Sequence, residues 1–151
     1  MIEEWWVRQG RGRLILLVED NANDERLTLE ALKRAKVPAA IHVARDGSEA
    51  LEFLYGDGHL PHPPDLILLD IKLPKYNGLE LLEQIRRRKE TAKVPVIMLT
   101  SSDDLSDVDR SYALGANSYI RKAIDVDQYI EEVRTAGIYW TQINVGQSEE
   151  S

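Results

Sequence analysis

The chain has 151 residues, of which 43% are hydrophobic and 30% are charged, a balance that is ordinary for one globular domain with a buried core. The net charge of −7 argues against non-specific binding to nucleic acid or to anionic membranes. Cysteine is absent, which excludes disulfides and cysteine-ligated metals and fits a cytoplasmic protein. No apolar stretch approaches the roughly 18 residues of a membrane-spanning helix, and residues 1–14 do not resemble a secretory signal.

Five short apolar runs predict five strands, and a segment with helical periodicity follows each of them. The predicted strands cover 13–20, 40–45, 65–70, 94–100 and 118–122. The predicted helices lie within 21–38, 46–58, 77–90, 104–116 and 125–140. This alternation is typical of an α/β fold with a parallel sheet, helices on both faces and right-handed crossovers. We expect residues 13–144 to form this domain, with residues 1–12 as an N-terminal extension and 145–151 as a polar tail.

Capping residues and apolar spacing support the individual helices. Pro38 marks the end of the first helix, Asp46 begins the second as a cap, and Gly115 ends the fourth. The first four helices each carry one apolar stripe: Leu27, Ala31 and Ala35; Ala50, Leu51 and Leu54; Leu79, Leu82 and Ile85; Leu105, Val108 and Tyr112.

The last predicted helix carries two apolar stripes. The first, which is expected to pack on the sheet, consists of Val126, Ile130, Val133, Gly137 and Trp140. The second consists of Tyr129, Ala136, Tyr139 and Ile143. Because a helix needs only one face for the core, the second stripe predicts a homodimer. The alternative is that its tyrosines rest on the surface with their hydroxyls in water, and Gly137 leaves open that the helix ends there.

Polar side chains follow the predicted strands at the sheet edge where parallel α/β proteins bind their ligands. They are Glu19, Asp20 and Asn21 after the first strand, Asp70 after the third, Thr100 and Ser101 after the fourth, and Lys122 after the fifth. Carboxylates that converge repel one another unless a cation lies among them, and an all-oxygen ligand set favours Mg²⁺. With a hydroxyl and an ammonium added, the set predicts a phosphoryl site. Asp70 is the candidate nucleophile, because it stands alone on the predicted central strand.

Each of these residues also has an ordinary structural explanation. Asp and Thr at strand-to-helix junctions are common helix caps, and a single Lys after a strand is usually solvated. Their joint occurrence favours a functional site over separate structural roles, because an acid pair, an Asp, a Thr and a Lys follow the first, third, fourth and fifth strands in that order.

From about residue 13 to residue 141 the chain resembles the receiver domains of two-component response regulators. The matching stretches are VEDN, LILLDIKLP, NGLELLEQIR, PVIMLTSS, GANSYIRK and DVDQYIEEV. The resemblance implies a flavodoxin-like (βα)₅ fold with strand order 2-1-3-4-5. It also implies that Asp70 accepts a phosphoryl group from a histidine kinase and that signalling follows from a change of conformation. A receiver is not an enzyme in the usual sense, but it assists its own phosphorylation and dephosphorylation.

The same resemblance implies a role for each residue of the site. Four residues are implied to hold Mg²⁺: Asp20 and Asp70 directly, Glu19 through water, and Lys72 through its backbone carbonyl. Thr100 and Lys122 are implied to contact the phosphoryl oxygens. Tyr119 matches the aromatic switch of the family, which turns inward as Thr100 moves toward the phosphate.

The chain departs from the family pattern after its lysine. Receivers usually follow this lysine with a proline in a cis peptide bond, but here Ala123 follows Lys122. A cis bond before a non-proline residue costs several kcal/mol, so the loop is either rebuilt in trans or keeps the strain. The first acid of the pair is also Glu19 rather than the more usual Asp, a variation that receivers tolerate.

A narrower resemblance concerns the lack of an output domain, the long loop at 55–64 and the terminal stretch IYWTQINV. These features resemble the small stand-alone regulators of phytochrome-type histidine kinases. A receiver of this kind either passes its phosphoryl group to a phosphotransfer protein or acts by binding, so a phosphotransfer protein is a second expected partner.

Two rival functions stay open at this point. One is a pseudo-receiver that binds partners without being phosphorylated. The other is a phosphatase of the haloacid dehalogenase type, although that family needs a second acid where this chain has Lys72. Asp57, His59 and His62 suggest a zinc site only weakly and are expected to be surface-loop residues. The role of Trp5 and Trp6 is left open.

Overall fold

The computed structural model describes residues 13–57, 60, 62–101, 104–122 and 125–146. Within these residues, five strands form one parallel sheet in the order β2-β1-β3-β4-β5. The strands are β1 (Arg13–Val18), β2 (Ala39–Ala44), β3 (Leu66–Leu69), β4 (Val96–Thr100) and β5 (Ser118–Arg121). The predicted fold class and the strand order 2-1-3-4-5 are therefore confirmed.

Each strand is followed by a helix, as the alternation of apolar runs and helical segments predicts. The helices are α1 (Ala22–Ala35), α2 (Gly47–Tyr55), α3 (Gly78–Arg87), α4 (Leu105–Ala113) and α5 (Val126–Ile138), and a π-helical turn at Tyr139–Ile143 continues from α5. In the described part of the chain, no helix is both long enough and apolar enough to cross a bilayer.

The three central strands, β1, β3 and β4, are buried on both faces, and their successive side chains alternate between two cores. Leu16, Val18, Ile67 and Leu69 point to one face, where they pack with apolar residues of α2 and α3. Ile15, Leu17, Leu66 and Leu68 point to the other face, which α1 and α5 cover. The predicted inward residues of α3, which are Leu79, Leu82 and Ile85, are all buried.

Local capping chemistry begins and ends the helices near the site. The Asn21 side chain accepts hydrogen bonds from the backbone N–H groups of Asn23 and Asp24, which begins α1. At the other end of α1, Lys36 adopts a left-handed conformation with φ of 55°. Asp46 caps α2 by accepting from the Glu49 N–H at 2.8 Å, as predicted.

The prediction for the face of the last helix is wrong at two positions. Tyr129 belongs to the predicted outer stripe but is only 2% exposed, whereas Val126 belongs to the predicted core stripe but is 45% exposed. The phenol is buried because its hydroxyl has a partner, the Thr28 hydroxyl at 2.8 Å. Gly137 does not end the helix, and a Cβ at this position would meet the Leu32 side chain at 3.0 Å. Its lack of a side chain is what lets α5 lie close to α1.

The apolar stripe of α4 faces outward. Leu105 is 74% exposed and Tyr112 is 50% exposed, while Ser111 is the residue of this helix that is buried. The Ser111 hydroxyl donates to the Asp107 carbonyl at 2.7 Å, so its burial leaves no unsatisfied polar group. The spacing predicts the helix correctly but not the direction in which its apolar side chains point.

Candidate functional site

The carboxyl ends of β1 and β3 bring two acids side by side. Val18 is paired with Leu69 in the sheet, so the next residues, Glu19 and Asp70, leave the sheet at the same level. The backbone N–H of Asp70 donates to the Val18 carbonyl at 3.1 Å, and that of Glu19 donates to the Ala44 carbonyl at 2.9 Å. Both acids are therefore fixed by sheet hydrogen bonds that continue one residue beyond the strands.

Three carboxylates converge at this edge. One oxygen each from Glu19, Asp20 and Asp70 lies within 4.8 Å of the other two. Glu19 and Asp70 are buried, while Asp20 is exposed. An arrangement of hard oxygen donors that is open on one side suits a divalent cation that keeps some of its water, as Mg²⁺ does.

A lysine ammonium lies among the acids. The Lys122 Nζ donates to Glu19 Oε1 at 2.6 Å, to Asp24 Oδ2 at 2.9 Å and to Asp70 Oδ2 at 3.1 Å. These three contacts use all three of its N–H donors. The backbone N–H of Lys122 also donates to the Thr100 carbonyl at 2.7 Å, which fixes the base of the side chain.

Burial and charge act in opposite directions on the ionisation of this cluster. Burial raises the pKa of the Glu19 carboxyl to about 7, although its hydrogen bond from Lys122 works against that shift. Burial alone would lower the pKa of Lys122, but the hydrogen bond to Glu19 and the charge of Asp70 outweigh it, so the pKa is raised. Lys122 therefore keeps its positive charge at neutral pH.

A close backbone contact fixes the loop after β3. The N–H of Gly78, the first residue of α3, donates to the Ile71 carbonyl at 2.6 Å. A Cβ at Gly78 would overlap the carbonyl oxygen of Asp70 and the Cα of Ile71. The glycine therefore allows α3 to begin directly against the backbone that carries Asp70.

The sequence-family model of the response regulator receiver domain matches residues 15–134 of the chain. The chain belongs to this family. The chain is similar in sequence to the response regulator Rcp1 from Synechocystis sp., with 36% identity over 132 residues, or 86% of this chain and 90% of that protein.

Solved receiver structures show the same architecture. The phosphorylated cyanobacterial phytochrome response regulator RcpA superposes with a TM-score of 0.83 at 36% identity, over 91% of this chain and 99% of that one. The Mn²⁺-bound form of Rcp1 has a TM-score of 0.82 at 33% identity, over 90% and 99%. The receiver domain of the sensor histidine kinase PA1611 from Pseudomonas aeruginosa, with magnesium in its active-site cleft, has a TM-score of 0.67 at 26% identity, over 85% and 97%.

The receiver structure brings together most of the residues singled out in the sequence. Glu19, Asp20, Asp70 and Lys122 lie in one cluster. Thr100 is buried at the end of β4, the strand next to that of Asp70. Lys72 is exposed, and its backbone N–H donates to Asp70 Oδ1 at 3.3 Å. Tyr119 lies on β5, half-buried against the core that α2 and α3 cover.

Asp24 is the residue of this cluster that sequence reasoning missed. It lies in the first turn of α1, where an acid is ordinarily explained by the helix dipole alone. The available signal was its position four residues after Asp20, at the start of the helix that follows the acid pair.

Among the remaining candidates, Asp57 and His62 are exposed. Trp5, Trp6, His59 and Ala123 lie outside the described residues.

Proposed function

We propose that the protein is a response regulator that accepts a phosphoryl group from a histidine kinase on Asp70, in a reaction that requires Mg²⁺. The observation that carries this proposal is the surroundings of Asp70, which directly follows the central strand, lies among the carboxylates of Glu19 and Asp20, and accepts a hydrogen bond from the Lys122 ammonium at 3.1 Å. A buried carboxylate between candidate metal ligands and a fixed cation is suited to become an acyl phosphate.

In the proposed reaction a carboxylate oxygen of Asp70 attacks the phosphorus of a phosphohistidine. The new O–P bond forms as the N–P bond breaks, and the histidine of the kinase leaves with its nitrogen electron pair. Asp20 and Asp70 would hold the cation directly, Glu19 through water, and Lys72 through its backbone carbonyl. Bound there, Mg²⁺ would neutralise charge on the phosphoryl oxygens. The divalent ions named for Rcp1 and for the PA1611 receiver support this choice of cofactor.

Thr100 and Lys122 complete the proposed site by contacting the phosphoryl oxygens. For Lys122 this requires that its ammonium exchange carboxylate partners for phosphoryl oxygens, because all three of its donors are engaged with acids. Tyr119 is proposed as the switch that follows Thr100. In this role the protein is a phosphoacceptor that assists its own phosphorylation and dephosphorylation.

The proposed partner is a sensor histidine kinase of the phytochrome type. RcpA, whose structure matches 91% of this chain, is a phytochrome response regulator. A phosphotransfer protein is a further proposed partner. We also propose residues 13–144 as the domain, a cytoplasmic location shared with the kinase, and no direct contact with nucleic acid or membrane, given the net charge of −7.

A homodimer is proposed at the end of α5. Tyr139 and Ile143 are both exposed on the π-helical turn that continues from α5. Large apolar side chains that remain exposed close together are typical of surfaces that another chain covers.

Incubation with acetyl phosphate and Mg²⁺, read by intact-protein mass, tests the central proposal. We expect the wild-type protein to gain one phosphate and Asp70→Asn to gain none. A chelator should abolish the gain in the wild type. Phosphorylation of Asp70→Asn at the wild-type rate would refute the assignment, and a wild-type protein that takes no phosphate from acetyl phosphate or from a phosphorylated kinase would indicate a pseudo-receiver.

A further inference from the structure

One of the three carboxylates that contact Lys122, that of Asp24, does not belong to the group of acids that could share a cation. Asp24 Oδ2 lies 2.9 Å from Lys122 Nζ. The three acids whose oxygens converge closely enough to share a cation are Glu19, Asp20 and Asp70. Asp24 lies on α1, outside this group of three, and about a third of its side chain is exposed.

The other two carboxylates that contact Lys122, those of Glu19 and Asp70, also interact with other groups in the reaction. This step rests on the proposed function, in which both carboxylates turn toward Mg²⁺ and Asp70 carries the phosphoryl group. When those carboxylates are engaged elsewhere, Asp24 is the one of the three that still accepts a hydrogen bond from the ammonium. A lysine side chain has a long flexible stem, so an ammonium that loses its partners also loses its position.

Asp24 is held firmly enough to serve as a fixed point. Its backbone N–H donates to Asn21 Oδ1 at 3.0 Å, which locks the first turn of α1. One turn further along, the buried hydroxyls of Thr28 and Tyr129 lie 2.8 Å apart and join α1 to α5. The carboxylate is therefore carried by a helix that is anchored on both sides of it.

We propose that Asp24 is a positioning residue for Lys122. It holds the ammonium beside Asp70 while the ammonium passes from the carboxylates of Glu19 and Asp70 to the phosphoryl oxygens. Asp24 itself touches neither the cation nor the phosphoryl group in this role. Its effect on the reaction should therefore depend entirely on the presence of the lysine.

Two simpler roles make different predictions. An acid in the first turn of α1 stabilises the helix dipole, and any negative charge near the site attracts a cation. Both effects would persist without Lys122, and a neighbouring acid in the same turn would share them. Glu25 is that neighbour, and it pairs with Arg45 at 3.1 Å rather than with Lys122.

The test compares Asp24→Asn, Asp24→Glu and the matched control Glu25→Gln, each in the wild type and in Lys122→Met. We expect Asp24→Asn to slow phosphorylation by acetyl phosphate, and to weaken binding of beryllofluoride as an acyl-phosphate mimic, by about fivefold. Asp24→Glu keeps a carboxylate at this position and should therefore retain most of the wild-type phosphorylation rate and beryllofluoride affinity. Glu25→Gln should leave both unchanged. In the Lys122→Met protein, Asp24→Asn should have no further effect.

A second readout uses no phosphodonor and no metal. Urea unfolding of the two single variants and the double variant measures whether Asp24 and Lys122 act together, and we expect their effects to be non-additive. Additive effects, a loss that persists in Lys122→Met, or an equal loss in Glu25→Gln would each overturn the role of Asp24. If the wild type takes no phosphate, the proposed function fails, and the urea experiment still decides whether the two residues are coupled.

Discussion

The hydroxyl groups of Thr28 and Tyr129 lie 2.8 Å apart in the buried interface between α1 and α5. Burial raises the pKa of the Tyr129 phenol to about 12, and the hydrogen bond with Thr28 only partly offsets that rise. The pair joins the helix that carries Asp24 to the helix that follows Lys122, and it does so with neutral groups. Two consequences of this contact are measurable, one at neutral pH and one in alkali.

At neutral pH, Tyr129→Phe removes one member of a buried hydrogen bond and leaves the Thr28 hydroxyl without that partner. We expect the free energy of unfolding in urea to fall by about 1–2 kcal/mol. Tyr112→Phe is the matched control, because that side chain is exposed on α4, and it should change stability little. Equal losses in the two variants would contradict the assignment.

In alkali, the raised pKa of Tyr129 makes stability depend on pH. The phenol ionises near its ordinary value of 10 in the unfolded chain but near 12 in the folded one. Its stabilising contribution is therefore present below pH 10 and is lost as the pH rises through about 12. Unfolding measured across this range should show a steeper loss in the wild type than in Tyr129→Phe, and parallel curves would refute the prediction.

Gly78→Ala should destabilise the protein by about 2 kcal/mol or more, because the new Cβ overlaps the Asp70 carbonyl oxygen. Helix propensity alone predicts the opposite sign, since Ala is favoured over Gly. Gly146→Ala is the control, because nothing lies within 4 Å of its added Cβ. Urea unfolding separates the two variants, and a neutral Gly78→Ala would show that the loop after β3 relaxes.

Asp20→Asn should lower the affinity for Mg²⁺ by about an order of magnitude or more, because it removes one of two proposed direct charged ligands. Isothermal calorimetry measures this directly. Glu30→Gln, on the outer face of α1 and paired with Arg34, should leave the affinity unchanged. An unchanged affinity in Asp20→Asn would exclude Asp20 as a direct ligand.

Lys72→Asn should change the lifetime of the phosphoryl group on Asp70 severalfold, in either direction. The Lys72 side chain is exposed, and its backbone N–H donates to Asp70 Oδ1, so the residue lies at the open side of the site. The decay of phosphorylated protein, followed by intact mass, checks this. Lys89→Asn, at an exposed position after α3, is the control, and identical decay in all three proteins would show that the Lys72 side chain points away.

Tyr139→Glu should convert the proposed homodimer to a monomer in light scattering while Asp70 is still phosphorylated. The charge is placed among the apolar side chains exposed on the π-helical turn, where burial against a second chain would be unfavourable. Thr135→Glu adds the same charge one turn earlier on α5, at an exposed polar position, and should leave the dimer intact. A wild type that is monomeric at high micromolar concentration, with and without phosphate, would contradict the dimer.

The parallel α/β fold and the position of the site were predictable from patterns along the chain, whereas the strand order 2-1-3-4-5 followed only from the resemblance to receiver domains. Apolar runs such as Leu66–Leu69 indicate strands buried on both faces, and parallel pairing then brings Glu19 and Asp70 to one edge. No side-chain coordinate is needed for that step.

The direction of individual helical side chains was not predictable in the same way. Tyr129 is buried because Thr28, 101 residues earlier in the chain, satisfies its hydroxyl. Leu105 and Tyr112 are spaced like core residues but face outward. Asp24 is recognised as part of the cluster only once the reach of Lys122 is known. Each of these depends on a contact between distant parts of the chain, which periodicity does not encode.

The close approach of α1 and α5 at Gly137 also limits how related sequences can diverge. Leu32 occupies the space that a side chain at position 137 would take, with 3.0 Å between its Cδ2 and an added Cβ. A mutation from glycine to a larger residue at 137 therefore requires Leu32 to shift or to shorten. We expect positions 32 and 137 to covary among relatives that keep the Thr28–Tyr129 contact, with a smaller residue at 32 accompanying any side chain at 137.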